Sequence, residues 1–167
     1  MRASRWIWLG PAAFAVHDAE EILLFQPWFT HHEHEIPEIA RSLFGGIHTR
    51  QFASAVVVLF VGYLIVAALG ARAAARGRLP WPYVVVTGAF VGNGITHVLQ
   101  AAAFRGYTPG VVTAVLISLP YGWLAARALV REGLATRQSL LVALAVGIAA
   151  QVPLALLALA VGRQIGT

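Results

Sequence analysis

His17, Glu20 and Glu21 fall within one short run, His17-Asp18-Ala19-Glu20-Glu21, inside an otherwise apolar stretch. An imidazole beside carboxylates can hold a divalent metal ion, and a carboxylate next to a metal-bound water can take its proton. On a helix, residues three and four apart share a face. His17, Glu20 and Glu21 are therefore expected to project together, with Asp18 about 100° away from His17. A second polar stripe, Asn93, His97 and Gln100, has the same spacing in a later apolar stretch. Two further groups stand at the edges of such stretches: His48, Arg50 and Gln51, and Tyr107, Thr108 and Thr113.

These residues are crowded in an unusual way. Six of the seven acidic residues and five of the six histidines lie between residues 17 and 48, and the rest of the chain holds only Glu132 and His97. Ionisable groups cost about 2.5–3.5 kcal/mol at the centre of a membrane helix, so they face a cavity or a partner and mark function. The run His31-His32-Glu33-His34-Glu35 differs, because it falls in a connecting segment. It is expected to be a solvated, weakly metal-binding or pH-responsive loop.

The elements that must position these residues follow from composition. The chain has 167 residues, 59% apolar and 11% charged. Soluble domains are about 45–50% apolar and about 25% charged. Too few charges are present to cover a soluble domain, and disorder needs the opposite composition. An all-α integral membrane bundle remains, as a single domain in the lipid bilayer. Five spans are expected, about 6–25, 52–71, 83–104, 108–126 and 140–161, each near the 20 residues that cross a bilayer. Residues 36–44 are expected to form a short interfacial helix, with Ile36, Ile39, Ala40, Leu43 and Phe44 on one face. Ala13-Phe14-Ala15 resembles a signal-peptidase site, but the apolar run before it is short and holds Gly10-Pro11, so the first stretch is expected to be retained.

All twelve basic residues are Arg, and most stand between apolar stretches. That placement suits membrane topology and removes the case for a nucleic-acid partner. With five spans, eight Arg fall on the side of the N-terminus and four on the other. The N-terminus is then cytoplasmic and the C-terminus outside. At 1.5 Å per residue, His17 to Glu21 lie about 6–13 Å, and His97 about 10 Å, from the outer ends of their spans. The two polar stripes are thus expected at one depth.

The His17-x-x-Glu20-Glu21 run resembles the signature of the HXXEE family, small bacterial integral membrane proteins of unknown function. His97 preceded by Asn93, and Tyr107-Thr108-Pro109-Gly110, look like the family's later histidine and its Tyr-x-Pro-Gly element. The order agrees, and the resemblance covers roughly residues 7–160. It implies a bacterial inner-membrane protein suspected of enzymatic activity, and it supports the site more than any reaction. The His/Glu run at 31–35 lies within the covered stretch but is not part of the family's pattern.

The expected function is a metal-dependent membrane hydrolase acting on a lipid-like substrate. His17 and His97 would be ligands, with Glu20 or Glu21 as the third and the other as base. Zinc is the expected metal, with iron or manganese as alternatives. His48 is a candidate fourth ligand or proton donor. Asn93 or Tyr107 would orient substrate or stabilise developing charge. Arg50 and Arg105 would hold a lipid phosphate or carboxylate, with Gln100 alongside. A di-iron lipid oxidase and a small transporter or proton-coupled carrier are the competing functions. The inert alternative is a packing network in which Arg50 or Arg105 pairs with the glutamates. The sequence leaves the oligomeric state open.

Overall fold

A computed structural model describes residues 2–166, with side chains from residue 5. Among the described residues there are six helices and no strand. They are α1 (Arg2–His31), α2 (Glu38–Phe44), α3 (Thr49–Ala75), α4 (Trp81–Ala103), α5 (Val111–Arg131) and α6 (Arg137–Ile165). Four of them, α3 to α6, are long and apolar enough to cross a membrane. The chain presents apolar side chains outward: Leu116 is 69% exposed, Leu141 66% and Leu157 64%. Exposed leucines on this scale suit a lipid surround and would be a liability in water.

Helix ends fall where local chemistry puts them. α5 starts at Val111, not at Thr108, because Pro109 and Gly110 form a turn and Gly110 has φ +87°. α5 contains a π-helical turn, Ala114–Ser118, just before Pro120. Proline cannot donate to the carbonyl four residues back, and a widened turn absorbs that loss. α1 runs on to His31, so it carries the first of the loop histidines. α2 forms as expected, but its apolar face is divided. Ile36, Ala40 and Phe44 turn inward toward a cavity, whereas Ile39 is 72% and Leu43 39% exposed.

α4 packs against α6 with the two backbones almost touching. A Cβ on Gly147 would stand 2.3 Å from the Val85 carbonyl oxygen and 2.4 Å from the Ala89 nitrogen. The small-residue pattern at Gly88 and Gly92 is therefore used for close approach of helices. Gly147→Leu is expected to force α4 and α6 apart and to cost about 1–3 kcal/mol or more. Thermal unfolding in detergent measures it; unchanged stability would contradict this packing.

One end of the bundle holds a core of Ile7, Tyr63, Tyr83, Phe90 and Tyr121. Tyr63 pairs with Thr87 at 3.0 Å, Tyr83 pairs with Tyr121, and Tyr121 donates to the Trp6 carbonyl at 3.0 Å. These hydroxyls satisfy each other in an apolar setting, where unpaired ones would be costly. α1 lies along α3 and α5, and this carries its polar run to the middle of the bundle.

Candidate metal centre

α1 has two working faces. Phe14, Asp18, Glu21, Phe25 and Trp28, spaced by three and four, border a cavity of about 560 Å³. His17 and Glu20 instead reach Thr113 at the start of α5. Glu21 thus stands between the faces, and the expected grouping of His17, Glu20 and Glu21 is divided.

His17 is fully buried and His97 is 7% exposed. Glu21 Oε1 lies 3.0 Å from His17 Nε2 and 2.8 Å from His97 Nε2. Asn93 Nδ2 is 3.1 Å from each Nε2 and 3.4 Å from Glu21 Oε1. Among the described residues, His17, Glu21 and His97 form the one group of three or more His, Asp or Glu with ligand atoms close enough for a metal ion.

Hydrogen bonding outside this group fixes the imidazoles. Glu20 accepts from the Thr113 N–H at 2.9 Å, the Thr113 hydroxyl at 2.6 Å and the Tyr107 hydroxyl at 2.6 Å. It therefore caps α5, whose first N–H groups have no partner within the helix. Because the Thr113 proton is committed to Glu20, Thr113 Oγ1 accepts from His17 Nδ1, 2.9 Å away. A neutral His17 so held turns the lone pair of Nε2 toward the Glu21 carboxylate. Two lone pairs at 3.0 Å repel, so a donor or a cation belongs beside them: the Asn93 amide supplies N–H groups at 3.1 Å and 3.4 Å, and a second imidazole proton or a metal ion would supply a positive charge.

The donor set fits a metal. Ligands at about 2.0–2.1 Å from a tetrahedral ion are about 3.3 Å apart, near the spacings seen here. Metal-bound histidines usually donate their other ring nitrogen to a carbonyl or a carboxylate relay. His17 has that relay through Thr113 to Glu20. His97 Nδ1 lacks a well-formed bond, and the Pro109 backbone is the group it faces.

The Tyr107-Thr108-Pro109-Gly110 turn acquires a physical reason here. Tyr107 ties it to Glu20, and Thr108 donates to the His97 carbonyl at 3.4 Å. A Cβ on Gly110 would lie 2.7 Å from His97 Cε1. Partial burial and the nearby Glu20 carboxylate push the Tyr107 phenol above its ordinary value. A raised phenol contributes stability that is complete below about pH 10 and fades as pH rises through the folded value. The difference in melting temperature between wild type and Tyr107→Phe is therefore expected to shrink only above pH 10. A difference already gone at pH 9 would contradict the bond.

The other expected site residues are dispersed. His48 is exposed at the N-cap of α3 and stands outside the cluster. Arg50 and Arg105 are exposed, and neither borders the cavity. Among the described residues, Glu21 makes two ion pairs, both with histidine, and Glu20 bonds to Thr113 and Tyr107, so neither is paired with Arg50 or Arg105. Gln100 does border the cavity. His32 stacks on Trp28 and its Nδ1 meets the Trp28 carbonyl at 2.9 Å. Asp18 is the residue that spacing placed aside; it is 5% exposed, borders the cavity and has no partner for Oδ2.

The fold and the cluster define a class: all-helical, with four helices fit to cross a membrane and a buried His/Glu group beside an apolar cavity. Within that class, the chain belongs to the family of proteins of unknown function with the HXXEE motif, whose model matches residues 8–125. No curated protein and no solved structure matches the chain.

Proposed function

We propose that this protein is a metal-dependent integral membrane hydrolase acting on a lipid-like substrate. The observation that carries the reading is the convergence of His17 Nε2, His97 Nε2 and Glu21 Oε1 at the wall of an apolar cavity. His17, His97 and Glu21 hold the metal, with zinc the best match to two imidazoles and a carboxylate. The bound ion would supply a Lewis acid and an acidified water. The contacts of Glu21 to both histidines and Asn93 fall on Oε1, which leaves Oε2 to take a proton from water. Glu20 already accepts three hydrogen bonds, so it positions His17 and does not serve as base. Asn93 stands where its amide can donate to an oxygen gaining charge. Phe25, Phe44, Phe52 and Leu59 line the cavity and would take the substrate's hydrocarbon chain.

α1 is the fifth span in this reading. Its 30 residues exceed the length a bilayer needs. Its polar groups face the bundle, while Val16, Leu23 and Leu24 face outward. The Arg distribution then puts the N-terminus in the cytoplasm of a bacterial cell and the C-terminus outside the inner membrane. A di-metal oxidase is less favoured, because such bundle centres use about four carboxylates and this group has one.

The test is turnover of fluorogenic lipid esters and amides by zinc-loaded, detergent-purified protein. Wild type is expected to hydrolyse at least one class. Glu21→Gln, at saturating zinc, is expected to be slower by about 100-fold or more. No turnover by zinc-loaded wild type across both classes would reject the hydrolase.

A further inference from the structure

We infer that the cavity binds a single-chain amphiphile whose head is a protonated amine carrying N–H groups, held by Asp18 and Gln151. This concerns binding, and it goes beyond the hydrolase reading without requiring turnover.

The argument starts from groups left without partners. Asp18 is 5% exposed, borders the cavity and has no partner for Oδ2. Rotation about the last bond of its side chain is broad, so either oxygen can face the cavity. Gln151 reaches the same cavity from α6. Its amide orientation is set by a chain of bonds: Thr96 Oγ1 donates to the Gly92 carbonyl at 3.0 Å, so it accepts from Gln151 Nε2 at 3.2 Å. Gln151 Oε1 is therefore an acceptor, and it is buried without a partner. Buried polar groups in native proteins are nearly always satisfied, and an unpaired one calls for an explanation such as a ligand.

Both orphans are acceptors, so the missing partner is a donor. Among the described residues no Arg borders the cavity, and the chain has no Lys. A phosphate or carboxylate head would be repelled by the Asp18 carboxylate, and any positive charge on this wall, at His17 and His97, already faces Glu21; an ammonium instead pairs with Asp18. A buried charge is tolerated when paired and hydrogen-bonded. The remaining walls are mostly apolar, and a volume of about 560 Å³ falls within the range of small-molecule sites.

The test is saturable binding of radiolabelled dodecylamine at pH 7 to the full chain in phosphatidylcholine nanodiscs, with empty discs subtracted. Wild type is expected to bind dodecylamine at least about tenfold more tightly than dodecyltrimethylammonium, which has the charge but no N–H. Dodecanoate is expected not to compete. Asp18→Asn is expected to weaken binding at least tenfold and Gln151→Leu to weaken it less. If Asp18→Asn does not fold, Gln151→Leu carries the test and must lower affinity. Competition by dodecanoate, or unchanged affinity in either folded variant, overturns the proposal. Binding is expected to survive chelator treatment; loss with chelator would make the amine a metal ligand and also overturn it. This readout is independent of turnover, so failure of the hydrolase reading and failure of the amine site are separate results.

Discussion

Glu21→Gln is expected to lower zinc affinity by more than about 100-fold, and Glu20→Gln by about 10–100-fold with the stoichiometry kept. The contrast rests on position. Glu21 Oε1 is within 3.0 Å of both histidine Nε2 atoms, so its loss removes one of the three proposed ligands. Glu20 touches neither Nε2; it acts on His17 through Thr113. Changing groups that orient a metal ligand typically costs 10–100-fold in affinity, and removing a ligand costs more. Competitive titration with a zinc indicator measures both variants. Equal losses would mean that the two glutamates share one role, contrary to the division of α1 described above.

Gly110→Ala is expected to damage stability and site together. The residue has φ +87°, where a side chain adds strain of about 1–3 kcal/mol. Its new Cβ would lie 2.7 Å from His97 Cε1 and 2.9 Å from Nδ1. Either α5 or the imidazole must shift, and a shift of His97 moves Nε2 away from Glu21. Zinc affinity should therefore fall by about tenfold or more beyond any loss of folded protein. The check is zinc titration of the folded fraction beside thermal unfolding. A variant that melts earlier but binds zinc as wild type does would confine Gly110 to the turn.

The helices and their polar contents were legible in the sequence because membrane helices need long apolar runs and expensive polar groups stand out against them. The common depth of His17 and His97 followed from rise per residue, and their rings lie 5.0 Å apart. The division between Glu20 and Glu21 was not legible. They differ by about 100° around α1, and periodicity does not say that α5 lies on one side and the cavity on the other. Asp18 was set aside for the same reason. His48, Arg50 and Arg105 stand at the same end of the bundle as the site but at the edges of their helices, and spacing along the chain leaves lateral position free. The Tyr63, Tyr83 and Tyr121 core was not legible: Tyr83 stands at a span start, where tyrosine also suits the membrane interface, and for Tyr63 and Tyr121, inside their helices, spacing does not say which helices meet. The π turn of α5 had one signal, Pro120 within an apolar stretch.

A metal ion is one account of the lone pairs between His17 and Glu21; the Asn93 amide with or without a second imidazole proton is the other. Elemental analysis of tag-free, detergent-purified protein never exposed to chelator separates them, with wild type beside His17→Ala and His97→Ala. A metal centre gives about one equivalent of zinc in wild type and none in either variant. Wild type as free of metal as the two variants would contradict the centre, and with it the hydrolase.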